Sequence, residues 1–301
     1  MKHLLKLMDL TTDEIVDILD LGDRLKYENK NAITHHHLEG KTLGMIFNKA
    51  STRTRVSFEV GMAQLGGRAL FLSANDLQIG RGEPVEDTAR VLSRYLDCIM
   101  IRTYDQQEVE QFAAYSSIPV INGLTDSCHP CQVLADLMTI REHKGCLQKL
   151  KLCYLGSGNN VANSLIVGGI KAGMKVSAAC PPYCQPDREV TQWAERQGNF
   201  VLTDNCYEAA QDADVICTDT WVSMGQERNS DELLEKLKQY QVNDKLMEAA
   251  DKNAMVLHCL PAYRGREITA KVFEEHAGEI FDEAENRLHV QKAVLLKCLK
   301  S

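Results

Sequence analysis

Apolar residues follow two alternating rhythms along this chain: short unbroken runs, and longer stretches spaced by three and four. The first helical stretch is marked by Ile15, Ile18, Leu19 and Leu25, which share one face. Thr11 with Glu14 supplies a capping box at its start. Gly22 falls on the same face, where it leaves a gap and slightly weakens the helix. His35-His36-His37, beside Gly40, reads as a solvated loop in preference to a metal-binding tract. From residue 42 onward, strand-like runs appear at Thr42–Phe47, Ala69–Leu72, Cys98–Ile101 and Pro119–Ile121. They resume at Lys151–Leu155, Lys175–Ala179, Phe200–Thr203, Asp214–Thr218 and Met255–His258. Helical patterns fill most of the intervals, so the strands are expected to form parallel sheets with crossover connections. A helix-like stretch near Pro130–His143 parts the two sets. The expectation is an α/β protein of two domains, each a parallel sheet flanked by helices. Residues 1–132 form the first and 133–282 the second, and a C-terminal helix, 283–301, packs back on the first.

A length of 301 residues agrees with two domains and a sizeable core. The 44% hydrophobic and 25% charged content is ordinary for a globular chain. The net charge of −8 argues against nucleic acid as a partner, so any anion site must be a local concentration of positive charge. No window approaches the ~20 apolar residues of a membrane span. The N-terminus, Met1-Lys2-His3-Leu4-Leu5, has neither signal- nor transit-peptide character, which leads to a cytoplasmic expectation. Eleven cysteines scattered through apolar segments read as buried thiols without disulfides.

Chemistry concentrates where strand-like runs end. Ser51-Thr52-Arg53-Thr54-Arg55 follows one run and opens a helix with two stripes, Phe58/Met62/Leu65 and Val56/Val60/Ala63. Free N–H groups at a helix start, hydroxyls and guanidinium forks together favour an anion, above all a phosphate. His129-Pro130-Cys131-Gln132 places a histidine and a glutamine where both can reach one ligand, His129 a carbonyl oxygen and Gln132 a carboxamide nitrogen. Cys128 and Cys131 also make a C-x-x-C pair, a spacing suited to zinc or redox work, but no second pair lies at finger spacing. Leu155-Gly156-Ser157-Gly158-Asn159-Asn160 is half of a dinucleotide fingerprint: Val161 replaces the third glycine, and the next strand ends without an acidic residue. A nicotinamide cofactor is therefore not expected. In His258-Cys259-Leu260-Pro261, Cys259 has the readings of nucleophile or buried thiol.

These motifs, taken in order, resemble the aspartate/ornithine carbamoyltransferase family over essentially the whole chain. They are Ser51–Arg55 with Ser57-Phe58-Glu59, Gln78-Ile79-Gly80-Arg81-Gly82-Glu83, Arg102-Thr103-Tyr104, His129–Gln132, Asp219 with Ser223-Met224-Gly225, His258–Pro261, and Glu285-Asn286-Arg287. The resemblance implies carbamoyl phosphate on Ser51, Thr52, Arg53, Thr54, Gln78, Arg102, His129, Gln132, Cys259, Leu260 and Arg287. It implies L-ornithine on Asn160, Asp219, Ser223 and Met224, the Ser-Met-Gly being carried by the family's ornithine members. Arg102, His129, Asp219 and Cys259 would be catalytic, with Thr54, Arg102 and His129 stabilising the developing oxyanion. The resemblance gives Cys259 a third reading: the carbonyls of Cys259 and Leu260 bind the carbamoyl NH₂, and the thiol lies near the δ-amine. Gln78 would reach a neighbouring subunit's site within a homotrimer or a multiple of trimers. The implied reaction, in arginine metabolism, makes L-citrulline and phosphate; phosphate is already a good leaving group, so no metal or cofactor is expected. Other acceptors, putrescine or an acylated ornithine, and a non-catalytic relative that only binds carbamoyl phosphate or partners, are the remaining readings.

Overall fold

The computed structural model describes residues 1–222 and 230–300. It divides into two compact units, Met1–Met138 with Asn286–Ser301, and Thr139–Glu285.

The first unit opens with α1 (Thr12–Lys30), capped as its sequence predicts: Thr11 Oγ1 accepts from Glu14 N (3.1 Å) and Glu14 Oε2 from Thr11 N (2.9 Å). Then come β1 (Thr42–Phe47), α2 (Thr52–Gln64), β2 (Arg68–Ser73), α3 (Val85–Leu92), β3 (Cys98–Arg102), α4 (Gln106–Tyr115), β4 (Val120–Leu124) and α5 (Pro130–Lys144). The sheet is parallel, in the order β2-β1-β3-β4. Every residue of β3 and β4 is buried, as a sheet covered on both faces requires.

The second unit holds β5 (Lys151–Leu155), α6 (Asn160–Lys171), β6 (Lys175–Ala179), α7 (Arg188–Gln197), β7 (Phe200–Thr203), α8 (Cys206–Ala210) and β8 (Val215–Thr218). It continues through α9 (Ser230–Leu237), α10 (Asp244–Met247), β9 (Met255–His258), α11 (Ala270–Glu275) and the start of α12 (Ala277–Leu299). Its sheet is also parallel, in the order β7-β6-β5-β8-β9. Residues 286 onward of α12 belong to the first unit, where Val290 and Met138 occupy the gap left by Gly22.

Three local differences from the sequence reading have physical causes. The fourth strand, Val120–Leu124, runs on past Ile121, because Asn122 is tolerated inside it: its Nδ2 donates to Leu5 O (2.8 Å) and Gln106 Oε1 (3.2 Å). His35 is buried, not solvated; its Nδ1 lies 2.9 Å from Glu28 Oε2 and its ring stacks on His37. On α2 only the Phe58/Met62/Leu65 stripe enters the core, while Val56 (51%) and Val60 (38%) stay exposed, as do Leu70 and Phe71 of the edge strand β2.

Parallel sheets bind ligands beyond the carboxyl ends of the strands where the order reverses. In the first sheet that point lies between β1 and β3, whose ends, Phe47 and Arg102, are register partners. In the second it lies between β5 and β8, where Leu155 pairs with Thr218, and Thr218 pairs in turn with His258 of β9. Ser51–Arg55 and Arg102 lie at the first pair of strand ends, and Asn159, Asn160, Asp219 and Cys259 follow the strand ends of the second.

Candidate active site

In the first unit, Ser51 is the N-cap of α2, and its side chain accepts from Thr54 N (3.2 Å). Thr54 is fully buried. Its Oγ1 accepts from Arg287 Nη2 (2.9 Å) and, at 3.5 Å, from Arg102 Nη1. Arg102 also donates through Nε to Lys49 O (3.2 Å), which ties the end of β3 to the turn after β1. Arg287 Nη1 donates to Gln132 Oε1 (2.8 Å) and lies 3.5 Å from His129 Nε2. Gln132 Nε2 donates to Asp136 Oδ1 (2.9 Å), so the whole amide is oriented. Thus Ser51, Thr54, Arg102, His129, Gln132 and Arg287, drawn from α2, β3, α5 and α12, converge on one helix start. Arg53 is close enough to contribute to the field at His129.

Burial pushes the His129 imidazole well below its ordinary value, and Arg287, Arg102, Arg53 and Lys49 push it further. The ring is therefore neutral at pH 7, inside a cationic cage on an acidic chain. Arg55 has a different place: it is exposed, pairs with Glu59 at 3.0 Å, and lies over the Phe71 ring at 3.9 Å. Gln78 is also exposed, in a short 3-10 turn, Gln78–Arg81.

Lys49 is a cation the sequence reading missed. It is 6% exposed, its Nζ donates to Asp126 Oδ1 (3.1 Å), and it sits over Tyr104. Its position at the end of β1, two residues before the turn, was the available signal. Cys131, by contrast, is fully buried, faces Asn122 O at 3.6 Å, and is pushed up to about 12 by burial. A thiol held protonated is a poor metal ligand or redox nucleophile.

In the second unit, Asp219 follows β8 and is 6% exposed. Its Oδ1 accepts from Thr220 N (2.7 Å) and from Cys259 Sγ (2.9 Å), and its Oδ2 from Asn159 Nδ2 (2.7 Å). Asn159 is the second missed residue. Its Oδ1 caps α6 by accepting from Val161 N and Ala162 N, both at 3.0 Å, so one side chain fixes both the helix start and the carboxylate. Asn160 opens α6 and is buried. Leu260 follows Cys259 with a φ of +57°. Ser223, Met224 and Gly225 lie outside the described residues. At Gly158 an added Cβ would fall 2.1 Å from the backbone of Gln185 and Pro186. The backbone of Gln185–Pro186 thus packs directly on the glycine turn, which is why position 158 admits no side chain.

The chain matches two family models. Residues 2–142 match the carbamoyl-P binding domain of aspartate/ornithine carbamoyltransferase, and residues 148–298 match its Asp/Orn binding domain. It is 55% identical to an ornithine carbamoyltransferase of Caldicellulosiruptor saccharolyticus, over 98% of both chains. Among solved structures, the ornithine carbamoyltransferase of Pyrococcus furiosus superposes with a TM-score of 0.93 at 51% identity, covering 98% of this chain and 96% of that one. The anabolic enzyme of Campylobacter jejuni does so with a TM-score of 0.93 at 42% identity, covering 99% of both. With two strand-end sites of this chemistry, family models spanning nearly its whole length and relatives this similar, the chain belongs to the aspartate/ornithine carbamoyltransferase family.

Proposed function

We propose that this protein transfers the carbamoyl group of carbamoyl phosphate to the δ-amine of L-ornithine, giving L-citrulline and phosphate in arginine metabolism. The observation that carries the reading is the buried cage at the start of α2, where two arginines share the Thr54 hydroxyl beside a neutral imidazole. Such a site suits a small dianion with a polarised carbonyl. Ser51, Thr52, Arg53 and Thr54 hold the phosphate, with Gln132, Arg287 and, from a neighbouring subunit, Gln78 completing the carbamoyl phosphate set. Thr54, Arg102 and His129 take the charge that develops on the carbonyl oxygen as the neutral δ-amine attacks carbon and the C–O bond to phosphate breaks. Each oriented donor of this kind contributes on the order of 10²–10³ in rate.

Asp219 receives the ammonium group of ornithine, and Asn160, Ser223 and Met224 complete the amino-acid site. The Cys259 thiol, already bonded to Asp219 at 2.9 Å, stands beside the δ-amine. The Cys259 and Leu260 carbonyls accept from the carbamoyl NH₂. Residues 1–132 with 283–301 form the carbamoyl phosphate domain and residues 133–282 the ornithine domain. All eleven cysteines are free thiols, which supports a cytoplasmic enzyme. No helix among the described residues is long and apolar enough to cross a membrane. We also assign the active form as a homotrimer or a multiple of trimers, supported by the exposed apolar residues of α2 and β2.

Purified protein should form citrulline from the two substrates and use putrescine or acylated ornithines far less well; no citrulline at saturating substrate sinks the assignment. Arg53→Ala should raise KM for carbamoyl phosphate at least about tenfold, the effect of losing one charge-assisted contact, with the fold intact. Asp219→Asn should chiefly harm ornithine use, so an equal loss with every amine acceptor would count against its contact.

A further inference from the structure

We propose that His258 and Glu267 are positioning residues that hold the Cys259–Leu260 turn in its working shape, a role resting on the reading of those two carbonyls as the carbamoyl NH₂ acceptors. The two side chains are almost without solvent exposure, His258 at 1% and Glu267 at 0%. Neither is needed to bury the strand end, where an apolar pair would cost less. What they do is bond to the backbone on both sides of the turn. Leu260 N donates to His258 Nδ1 (2.9 Å), and Tyr263 N donates to Glu267 Oε1 (2.5 Å). The same Glu267 oxygen lies 3.1 Å from His258 Nε2, so imidazole and carboxylate link the two backbone contacts into one unit.

This arrangement fixes the tautomer. Nδ1 accepts from an amide and so carries no proton; Nε2 carries it and donates to the carboxylate. The turn then depends on a neutral, Nε2-protonated ring, and Glu267 selects that form. The need for such a hold is visible in Leu260, whose φ of +57° is a conformation that a branched L-residue seldom adopts without surrounding constraint. The Leu260 N–H bond to His258 is that constraint. Glu267 is brought back to His258 by a tight turn at Gly265 (φ +89°), closed by Gly265 N donating to Ile268 O (2.8 Å). The strand end is fixed from its other side by His258 N, which donates to Glu283 Oε2 (2.8 Å).

Kinetics and amide exchange on the full-length enzyme test the role together. His258→Ala should raise KM for carbamoyl phosphate about tenfold or more, as loss of an oriented acceptor pair does. It should also narrow the preference for carbamoyl phosphate over acetyl phosphate, which has a methyl in place of the NH₂, while competitive inhibition by inorganic phosphate is unchanged. His258→Asn places an amide oxygen near the Nδ1 position and should restore both KM and that preference. Glu267→Gln keeps an oxygen able to accept both bonds and should stay near wild type, whereas Glu267→Ala should behave as His258→Ala. An unchanged KM in His258→Ala overturns the role. So does a parallel loss of phosphate inhibition, which would mark general disruption, or an Asn variant no better than Ala. Exchange of the Leu260 amide reads the hold without turnover: protection should vanish in His258→Ala and return in His258→Asn. If wild type makes no citrulline, the functional reading fails, and Leu260 exchange still decides whether His258 holds the turn.

Discussion

His129 shows how one residue's environment sets its chemistry. Burial is the main cause of its lowered value, and the facing cations Arg287, Arg102, Arg53 and Lys49 add to it. The unfolded chain protonates this ring at its ordinary value near 6.5, while the folded chain does not. As pH falls through that value the unfolded state therefore binds the extra proton, and stability drops. His129→Gln should lose less stability than wild type between about pH 7 and about pH 5, measured by urea midpoints; equal losses would contradict the neutral ring. Ser51, Thr54, His129 and Gln132 were legible because each lies at the opening of a helix after a strand-like run, where polar residues have few structural reasons to cluster; Arg102 and Arg287 entered only through the resemblance. Lys49 and Asn159 were not legible. Their partners, Asp126 and Asp219, are distant in sequence, and a single strand-end lysine or helix-cap asparagine has an ordinary reading. Arg55 was read with its turn, but the neighbouring Glu59 and Phe71 draw it outward, a preference fixed only once β2 lies beside α2.

At the scale of elements, α12 fastens both ends of α2. Arg287 reaches Thr54 near the start, and Lys292 Nζ donates to Gln64 Oε1 (2.9 Å) at the end. Gly61 leaves room for this crossing, since an added Cβ would lie 3.2 Å from Lys292 Cγ. The cost falls on Lys292, which is fully buried; burial lowers it from 10.5 to about 8, against a smaller raising effect of Glu28. Between those two values the unfolded chain keeps a proton that the folded chain has released, so stability should rise with pH across that window. Lys292→Met should abolish the rise, which is on the order of 2 kcal/mol. Urea titrations of both proteins at about pH 7.5 and about pH 10 give the difference, and parallel pH trends would refute it. The strands themselves were legible because a doubly covered parallel strand reads as a continuous apolar run. The fourth was blurred by Asn122, whose burial depends on Leu5 and Gln106, and by Gly123, which packs against Met100; neither leaves a periodic signal.

At the scale of the whole molecule, the second stripe of α2 has no core to enter. Val56 and Val60 of α2, and Leu70 and Phe71 of the edge strand β2, are exposed apolar residues, and a free edge strand invites pairing or coverage. In the proposed trimer another copy would cover it, and the exposed Gln78 would reach the neighbouring subunit's carbamoyl phosphate. The sequence displayed the stripe but not its destination, because helical spacing is the same whether a face is buried within a chain or between chains. Two tests follow from the assignment. Val60→Asp should give monomers by light scattering, with folded-state circular dichroism and little activity; a fully active monomer would defeat it. Mixing is the sharper test. Assayed at carbamoyl phosphate well below the KM of either variant, Gln78→Ala and Arg53→Ala should each be strongly impaired alone, yet unfolding-free subunit exchange between them should leave roughly one quarter of sites with both residues intact, as random assembly in a closed ring requires. Recovery to about that level places Gln78 in the neighbour's site, whereas a mixture as inactive as its parents, with exchange verified by a mass-labelled subunit, would return Gln78 to its own chain.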